Sequence, residues 1–230
     1  MAKTVDAVLF DLDGTLLDTT KAILASLRHT VEYFTGTIPP TGVLQKTMGI
    51  PLVDVLESLL PGRTQEALQV YVDHNLRVHK DFVKPYPGVI ETLNALKSGG
   101  IRLGLVTSKR RHSAQVGLKS ACIGDSFEAI VCHDDTDKHK PDPTPLLMAL
   151  ESMGIASGTV LMVGDTIFDI RAAKNADGAL PGLRVKSGAV TYGGGLRGDL
   201  SSEEPDFLFD DIREVLTACG ISTTEPTPSI

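Results

Sequence analysis

The chain has 230 residues, of which 42% are hydrophobic and 22% are charged, a composition typical of globular proteins. Its length is enough for one large domain or two small ones. A formal net charge of −7, with no long run of Lys or Arg, argues against a nucleic-acid-binding surface but leaves room for a local site that binds a phosphorylated metabolite.

Cysteine content and hydropathy indicate a cytoplasmic protein. The three cysteines, Cys122, Cys132 and Cys219, are unclustered and have no metal-binding spacing, so we expect free thiols in a reducing compartment. Residues 1–10 do not resemble a signal peptide, and no apolar run approaches the roughly 20 residues of a membrane span. We therefore expect no membrane partner.

The first predicted strand covers residues 7–10 and ends on Asp11 and Asp13. Paired acids at the end of a buried strand are costly unless a cation or hydrogen bonds compensate them. Such a pair can bind a hard divalent metal, or divide nucleophilic attack and proton transfer between its members. Asp-x-Asp also occurs in solvated turns, so this pair alone does not decide between structure and catalysis.

After Asp18 the apolar spacing becomes helical, and breaks at Pro39-Pro40 and Pro61-Gly62 divide the helices. The pattern predicts helices from residue 18 to 35 and over residues 42–47, 52–60 and 64–82. We therefore expect an all-helical insert over residues 17–83, with no strand in it.

After Gly88, strand patterns alternate with helix patterns, which predicts a parallel sheet covered on both faces. The predicted strands cover residues 102–106, 129–132, 160–163, 183–185 and 207–209. The predicted helices cover residues 89–97, 112–120, 144–153, 167–175 and 211–219. In such a sheet the ligand lies beyond the carboxyl ends of the strands.

The residues that directly follow the strands form a set suited to phosphoryl transfer. They are Asp11 and Asp13, Thr107 and Ser108, the loop 133–140 with Lys140, and Asp165 and Asp169. Acids can hold Mg²⁺, hydroxyl and lysine groups can hold phosphate oxygens, and one carboxylate can attack phosphorus.

These residues carry a family resemblance that covers the chain to about residue 219. The sequence resembles the haloacid dehalogenase superfamily of phosphohydrolases through four motifs in order: Asp11-Leu12-Asp13-Gly14-Thr15, Thr107-Ser108, Lys140-Pro141-Asp142-Pro143 and Gly164-Asp165-Thr166-Ile167-Phe168-Asp169. The resemblance implies an α/β fold with a Rossmann-like core and a small helical cap domain. We expect the core at residues 1–16 and 84–220, the cap at 17–83 and a loose tail at 221–230.

The resemblance also implies catalytic roles. Asp11 would be the nucleophile that forms an aspartyl-phosphate, and Asp13 would protonate the leaving oxygen and then activate water. Thr107 and Ser108 would bind the phosphoryl group. Lys140 would bind the phosphoryl group and neutralise the nucleophile, because a carboxylate that attacks an anionic phosphate needs positive charge nearby.

Mg²⁺ is the cofactor that the resemblance implies. Its ligands would be Asp11, Asp13 (through the backbone carbonyl), Asp165 and Asp169, the last as a ligand or as support. Asp169 could equally be an acid favoured at a helix N-terminus, and the two roles are compatible. Mg²⁺ keeps several waters and uses few carboxylates, which suits this set.

The expected activity is hydrolysis of a small phosphomonoester similar to phosphoglycolate. The cap stretch Met48-Gly49-Ile50-Pro51 and the run 140–145 resemble the phosphoglycolate phosphatase and pyrophosphatase subgroup, with Gly49 as a substrate-binding candidate. Asp13 and Asp165 argue against a dehalogenase, and Thr15 favours a phosphatase over a β-phosphoglucomutase-like enzyme. Pyrophosphatase, sugar phosphomutase and a non-catalytic regulator stay open as alternatives, in a monomer or homodimer.

Three other features receive structural interpretations. Residues 193–198 fit the pattern Gly-x-Gly-x-x-Gly, but they do not open a helix after the first strand, so we expect a flexible loop. Asp134, Asp135 and Asp137 are expected in a solvated loop. The six histidines, including His112 after the basic run 109–111, are expected to be structural or at the surface.

Overall fold

A computed structural model describes residues 4–48 and 50–222. Its main sheet contains the strands β1 (Ala7–Phe10), β4 (Arg102–Val106), β5 (Ala129–Val131), β6 (Gly158–Gly164), β7 (Leu183–Val190) and β8 (Phe207–Phe209). These six strands are parallel and lie in the order β5-β4-β1-β6-β7-β8. The predicted α/β fold with a parallel sheet is confirmed.

Helices cover both faces of this sheet because its strands are apolar on both sides. Val8 and Phe10 of β1 point into one core cluster, and Ala7 and Leu9 point into another. The first cluster is closed by α5 (Val89–Ser98), α6 (Arg111–Ser120) and α10 (Glu214–Ala218), and the second by α7 (Thr144–Ser152) and α8 (Ile167–Ala176). Alternation with a period of two thus gives each face its own core.

The helical insert consists of α1 (Thr20–Thr35), α2 (Thr41–Gln45), α3 (Leu52–Leu59) and α4 (Thr64–Phe82). It has its own apolar cluster, which includes Leu27, Leu56 and Tyr71. The prediction of no strand in residues 17–83 was wrong at the first two residues. Strand β2 (Leu17–Asp18) pairs antiparallel with β3 (Lys84–Pro85), so the two connections to the insert run side by side.

Elsewhere the predicted bounds hold within a few residues, with two larger departures. Strand β7 extends to Val190, five residues beyond the predicted end, because it pairs with both β6 and β8. In the glycine-rich stretch a loop continues only to Leu196, and α9 (Arg197–Ser202) follows. The candidate Gly49 and residues 223–230 of the predicted tail lie outside the described residues.

The three cysteines are free thiols, as expected. Among the helices of the described part of the chain, none is long and apolar enough to cross a membrane.

Candidate active site

Strand order brings three of the predicted site residues together. Strand β1 lies between β4 and β6, so Asp11, Thr107 and Asp165 leave neighbouring strands at one edge of the sheet. All three are buried. The carboxyl edge of a parallel sheet is the usual place for a ligand, and here it carries two acids and a hydroxyl group.

Lys140 forms ion pairs with two of the predicted acids, Asp11 and Asp169. Its Nζ lies 2.7 Å from Asp11 Oδ1 and 2.5 Å from Asp169 Oδ1, and it donates a third hydrogen bond to the carbonyl oxygen of Val106 at 3.2 Å. The side chains of Lys140, Asp11 and Asp169 are only 5%, 9% and 1% exposed. The lysine therefore uses its three donors in a nearly dry site, where ion pairs are strong and unpaired charges are costly.

The pKa values reflect this burial. Burial raises the pKa of Asp11 to about 7, although the charge of Lys140 opposes the shift. Burial alone would lower the pKa of Lys140, but the charges of Asp11 and Asp169 outweigh it and raise that pKa. Burial and the charges of Asp11 and Asp169 raise the pKa of Asp165. The site thus holds more negative charge than its buried lysine can stabilise.

Asp169 has a second, structural function. It is the third residue of α8, where its Oδ2 accepts hydrogen bonds from the backbone N–H of Thr166 at 3.1 Å and from the Thr166 hydroxyl at 2.6 Å. This capping box fixes the start of the helix and leaves Oδ1 for Lys140. The helix-terminus role expected for Asp169 therefore coexists with its place in the site.

The glycine-rich loop holds Asp165, a contact that the sequence analysis missed. The backbone N–H of Gly194 donates to Asp165 Oδ2 at 2.7 Å, and the Thr15 hydroxyl lies 3.4 Å from Oδ1. A Cβ on Gly14 would lie 2.1 Å from Asp165 Oδ2, and one on Gly193 would lie 2.4 Å from Asp165 Cβ. Glycine is needed at both positions because backbone passes directly against this acid.

Asp13 is paired with a lysine that was not predicted to be a site residue. Lys109 Nζ donates to both carboxylate oxygens of Asp13, at 2.9 Å and 2.8 Å. Lys109 belongs to the basic run 109–111, which the sequence analysis noted only as a neighbour of His112. Its position two residues after Thr107, on the same strand-end loop, was the available signal.

The phosphate-binding candidates after β4 differ in their surroundings. Thr107 is buried, its N–H donates to Val131 O at 2.9 Å, and its Oγ1 accepts from the N–H of Lys109 at 3.2 Å. Ser108 is exposed.

Two of the acids in the loop 133–140 form contacts that stabilise this loop. Asp135 pairs with Arg111, and Asp134 accepts a hydrogen bond from the Arg111 N–H at 2.8 Å.

The charges of the site fit a divalent cation. No three His, Cys, Asp or Glu side chains in residues 4–48 and 50–222 form a ready-made metal cluster. However, the ion pairs within those residues bring only two lysines to Asp11, Asp13, Asp165 and Asp169, so two negative charges remain when all four acids are ionised. Burial and the charge of Asp11 raise the pKa of Asp165, and the charge of Lys140 offsets this rise only in part. Two carboxylates with a few waters are a common Mg²⁺ environment.

The comparisons with known proteins agree with this geometry. Residues 8–179 match the family described as haloacid dehalogenase-like hydrolase. The chain is 36% identical over 220 residues to the pyrophosphatase PpaX of Bacillus velezensis, which covers 95% of this chain and 98% of that protein.

Solved structures resemble this chain over nearly its whole length. A proposed phosphoglycolate phosphatase of Lactobacillus plantarum matches with a TM-score of 0.80 and 28% identity, covering 93% of this chain and 99% of its own. A proposed β-phosphoglucomutase of Thermotoga maritima matches with a TM-score of 0.72 and 26% identity, covering 93% and 99%. With its strand-end acids, its buried lysine and these matches over most of its length, the chain belongs to the haloacid dehalogenase-like hydrolase family.

Proposed function

We propose that this hydrolase is a Mg²⁺-dependent phosphatase that cleaves a small phosphomonoester through an aspartyl-phosphate on Asp11. The observation that carries the proposal is the buried bridge from Asp11 through Lys140 to Asp169, next to Asp165. A bridge of this kind gives a carboxylate the positive charge that it needs to approach a phosphate dianion.

In the first step, an Asp11 carboxylate oxygen attacks phosphorus. The new oxygen–phosphorus bond forms while the bond from phosphorus to the leaving oxygen breaks. Asp13 gives a proton to that leaving oxygen, and Lys140 and Thr107 stabilise the charge on the transferred oxygens. Burial and ion pairing fix Asp11 in place, so little reorganisation is needed during attack.

In the second step, water attacks the phosphorus of the aspartyl-phosphate. Asp13, now ionised, takes a proton from this water, and the bond between phosphorus and the Asp11 oxygen breaks. Phosphate leaves and Asp11 regains its carboxylate. Mg²⁺ held by Asp11, Asp165 and the backbone carbonyl of Asp13, with Asp169 as a ligand or as support, would supply the charge that offsets carboxylate–phosphate repulsion.

The second candidate substrate is inorganic pyrophosphate. It is favoured by the Bacillus velezensis relative, which is named a pyrophosphatase and is 36% identical over nearly the whole chain. The phosphoglycolate-like substrate is favoured by the subgroup motifs and by the Lactobacillus plantarum structure. In either case we propose that residues 17–83 act as a cap over the site, and that the partner is a small cytoplasmic metabolite bound by a monomer or homodimer.

A phosphate-release assay with Mg²⁺ on phosphoglycolate, pyrophosphate and β-glucose 1-phosphate tests the proposal. We expect turnover of one of the first two by the native protein and none by Asp11→Asn, which keeps the ion pair between Lys140 and Asp169 and therefore the fold. Conversion of β-glucose 1-phosphate to the 6-phosphate without phosphate release would favour the mutase. An active Asp11→Asn protein would refute the nucleophile assignment, and Mg²⁺ binding without turnover of any substrate would favour a regulator.

A further inference from the structure

Lys109 stands apart from the other basic residues of its run. Arg110 is exposed, and Arg111 is held by Asp135 and by the carbonyl oxygen of Ile130. Lys109 instead extends into the site, where its side chain is 11% exposed and its Nζ contacts both carboxylate oxygens of Asp13. Only this member of the run thus contacts one of the site acids.

The backbone of Lys109 is fixed on both sides. Its N–H donates to Thr107 Oγ1 at 3.2 Å, and its carbonyl oxygen accepts from the N–H of His133 at 3.0 Å. The loop therefore directs this side chain by the same contacts that place Thr107. A lysine held this way presents a strong, localised positive charge at a defined place.

The pair formed by Lys109 and Asp13 lies near the helical insert. Asp13 bridges to Leu17, where the chain enters the insert. Burial and the charge of Lys109 lower the pKa of His79, and burial and the charge of Asp13 raise the pKa of Tyr71; both residues lie on α4, and His79 is fully buried. We therefore expect the leaving group of a substrate on this side of the site.

The position of Lys109 allows it to contact a second anion besides Asp13. Its Nζ has three donors, and the two hydrogen bonds to Asp13 use two of them. The leaving oxygen must come within hydrogen-bond distance of Asp13, so an anionic group next to it lies within reach of Nζ, which is 2.8 Å from Asp13 Oδ2. An anion on the leaving group can therefore contact Lys109 beside Asp13.

We propose that Lys109 determines specificity for substrates whose leaving group carries a negative charge, such as a carboxylate or a second phosphate. The inference rests on the proposed function, because it assumes that Asp13 protonates the leaving oxygen. The inference applies to both candidate substrates, because the leaving groups of phosphoglycolate and pyrophosphate are both anionic. Lys109 thus selects the leaving group, while Lys140 serves the transferred phosphoryl group.

Phosphoglycolate and ethyl phosphate make a matched pair for the test, because they differ by a carboxylate in place of a methyl group. For Lys109→Met, we expect kcat/KM with Mg²⁺ to fall about ten- to a hundredfold more for phosphoglycolate and pyrophosphate than for ethyl phosphate, the loss of one charge-assisted hydrogen bond. Lys109→Arg should retain most of the preference. Lys138→Met, which removes an exposed lysine from the neighbouring loop, should change kcat/KM for none of the three substrates.

An equal loss on all three substrates would show that Lys109 only orients Asp13, and it would overturn the proposal. If Lys109→Met does not fold, the native protein still decides the question. Its preference for phosphoglycolate over ethyl phosphate should shrink as potassium chloride is raised, and the absence of any preference would refute the inference. A native protein that hydrolyses none of the three would instead refute the proposed function.

Discussion

Lys140 controls the charge balance of the candidate site. It is the one lysine that touches both Asp11 and Asp169 within the described residues, and all three side chains are nearly inaccessible to water. Such a triad contributes little net stability while it is complete, because desolvation costs about as much as the ion pairs return. Loss of one member of the triad lowers the stability of the fold, because it leaves a buried charge without a partner.

Replacement of Lys140 with Met should therefore destabilise the fold. We expect the free energy of unfolding to fall by roughly 3–5 kcal/mol, as for other buried ion pairs that lose one member. Urea unfolding followed by circular dichroism measures this loss. The matched control is Lys138→Met, whose side chain is 66% exposed and whose loss should change stability by less than about 1 kcal/mol. Equal stabilities of the two variants would show that the triad is not buried as described.

The raised pKa of Asp11 makes the effect of Mg²⁺ depend on pH. The folded pKa of about 7 lies above the ordinary value of 3.8, so the unfolded chain ionises first and the metal-free protein loses stability as pH rises through this interval. A cation that binds the ionised form reverses the loss. We expect Mg²⁺ to raise the thermal midpoint clearly at about pH 8 and little at about pH 5.

Differential scanning fluorimetry with and without Mg²⁺ measures this difference. Asp165→Asn is the control, because it removes a carboxylate that we assign to the same cation and should abolish the gain at the higher pH. A gain of equal size at both pH values would contradict the link between Asp11 and the metal.

At the scale of elements, the loop between β7 and α9 holds Asp165 in position. Gly194 donates a hydrogen bond to the acid, and Gly193 and Gly195 pass so close that a Cβ on either would overlap it. The loop thus fixes the rotamer of a proposed metal ligand from outside the motif that contains that ligand. Contacts of this kind commonly tune metal affinity.

Gly193→Ala should push Asp165 out of place and weaken Mg²⁺ binding by about 10- to 100-fold. Gly198→Ala is the matched control, because a Cβ at that position meets nothing within 4 Å and lies in α9. Isothermal titration of both variants with Mg²⁺ compares them. Unchanged affinity in Gly193→Ala would mean that the loop does not position the ligand.

The same loop shows where prediction from the sequence ends. The positions of Asp11, Asp13, Asp165 and Asp169 at the sheet edge could be predicted, because each follows a strand or opens the next helix, whereas Lys140 was found through its Lys-Pro-Asp-Pro motif. The contact from Gly194 to Asp165 joins residues far apart in sequence through backbone atoms, and no side-chain pattern records it. The contact from Lys109 to Asp13 depends on how the β4 loop turns, which strand periodicity does not specify.

At the scale of the whole molecule, sheet order turns a linear series of motifs into one site. Strands β4, β1 and β6 are neighbours although long stretches of chain separate them, so their carboxyl ends share one edge. The alternation of strands and helices predicted this class of sheet but not its strand order. The antiparallel pair β2–β3 was missed because two-residue strands have too few positions to show a period.

The strand pair also places the helical insert. Leu17 lies opposite Pro85 and Asp18 opposite Lys84, and Leu17 also bridges to Asp13, so the insert leaves and re-enters the core beside Asp13. A cap joined in this way can change its angle to the core without disturbing the sheet, which matches the role that we propose for residues 17–83.

The most direct test of the account is to trap the covalent intermediate. Native protein mixed with substrate and Mg²⁺ is quenched in acid, reduced with borohydride and digested, and the peptide that contains residue 11 is analysed by mass spectrometry. An acyl phosphate on Asp11 would appear as homoserine at that position, and Asp11→Asn protein would give none. Phosphate release without homoserine at residue 11, or with the reduced residue elsewhere, would contradict the account.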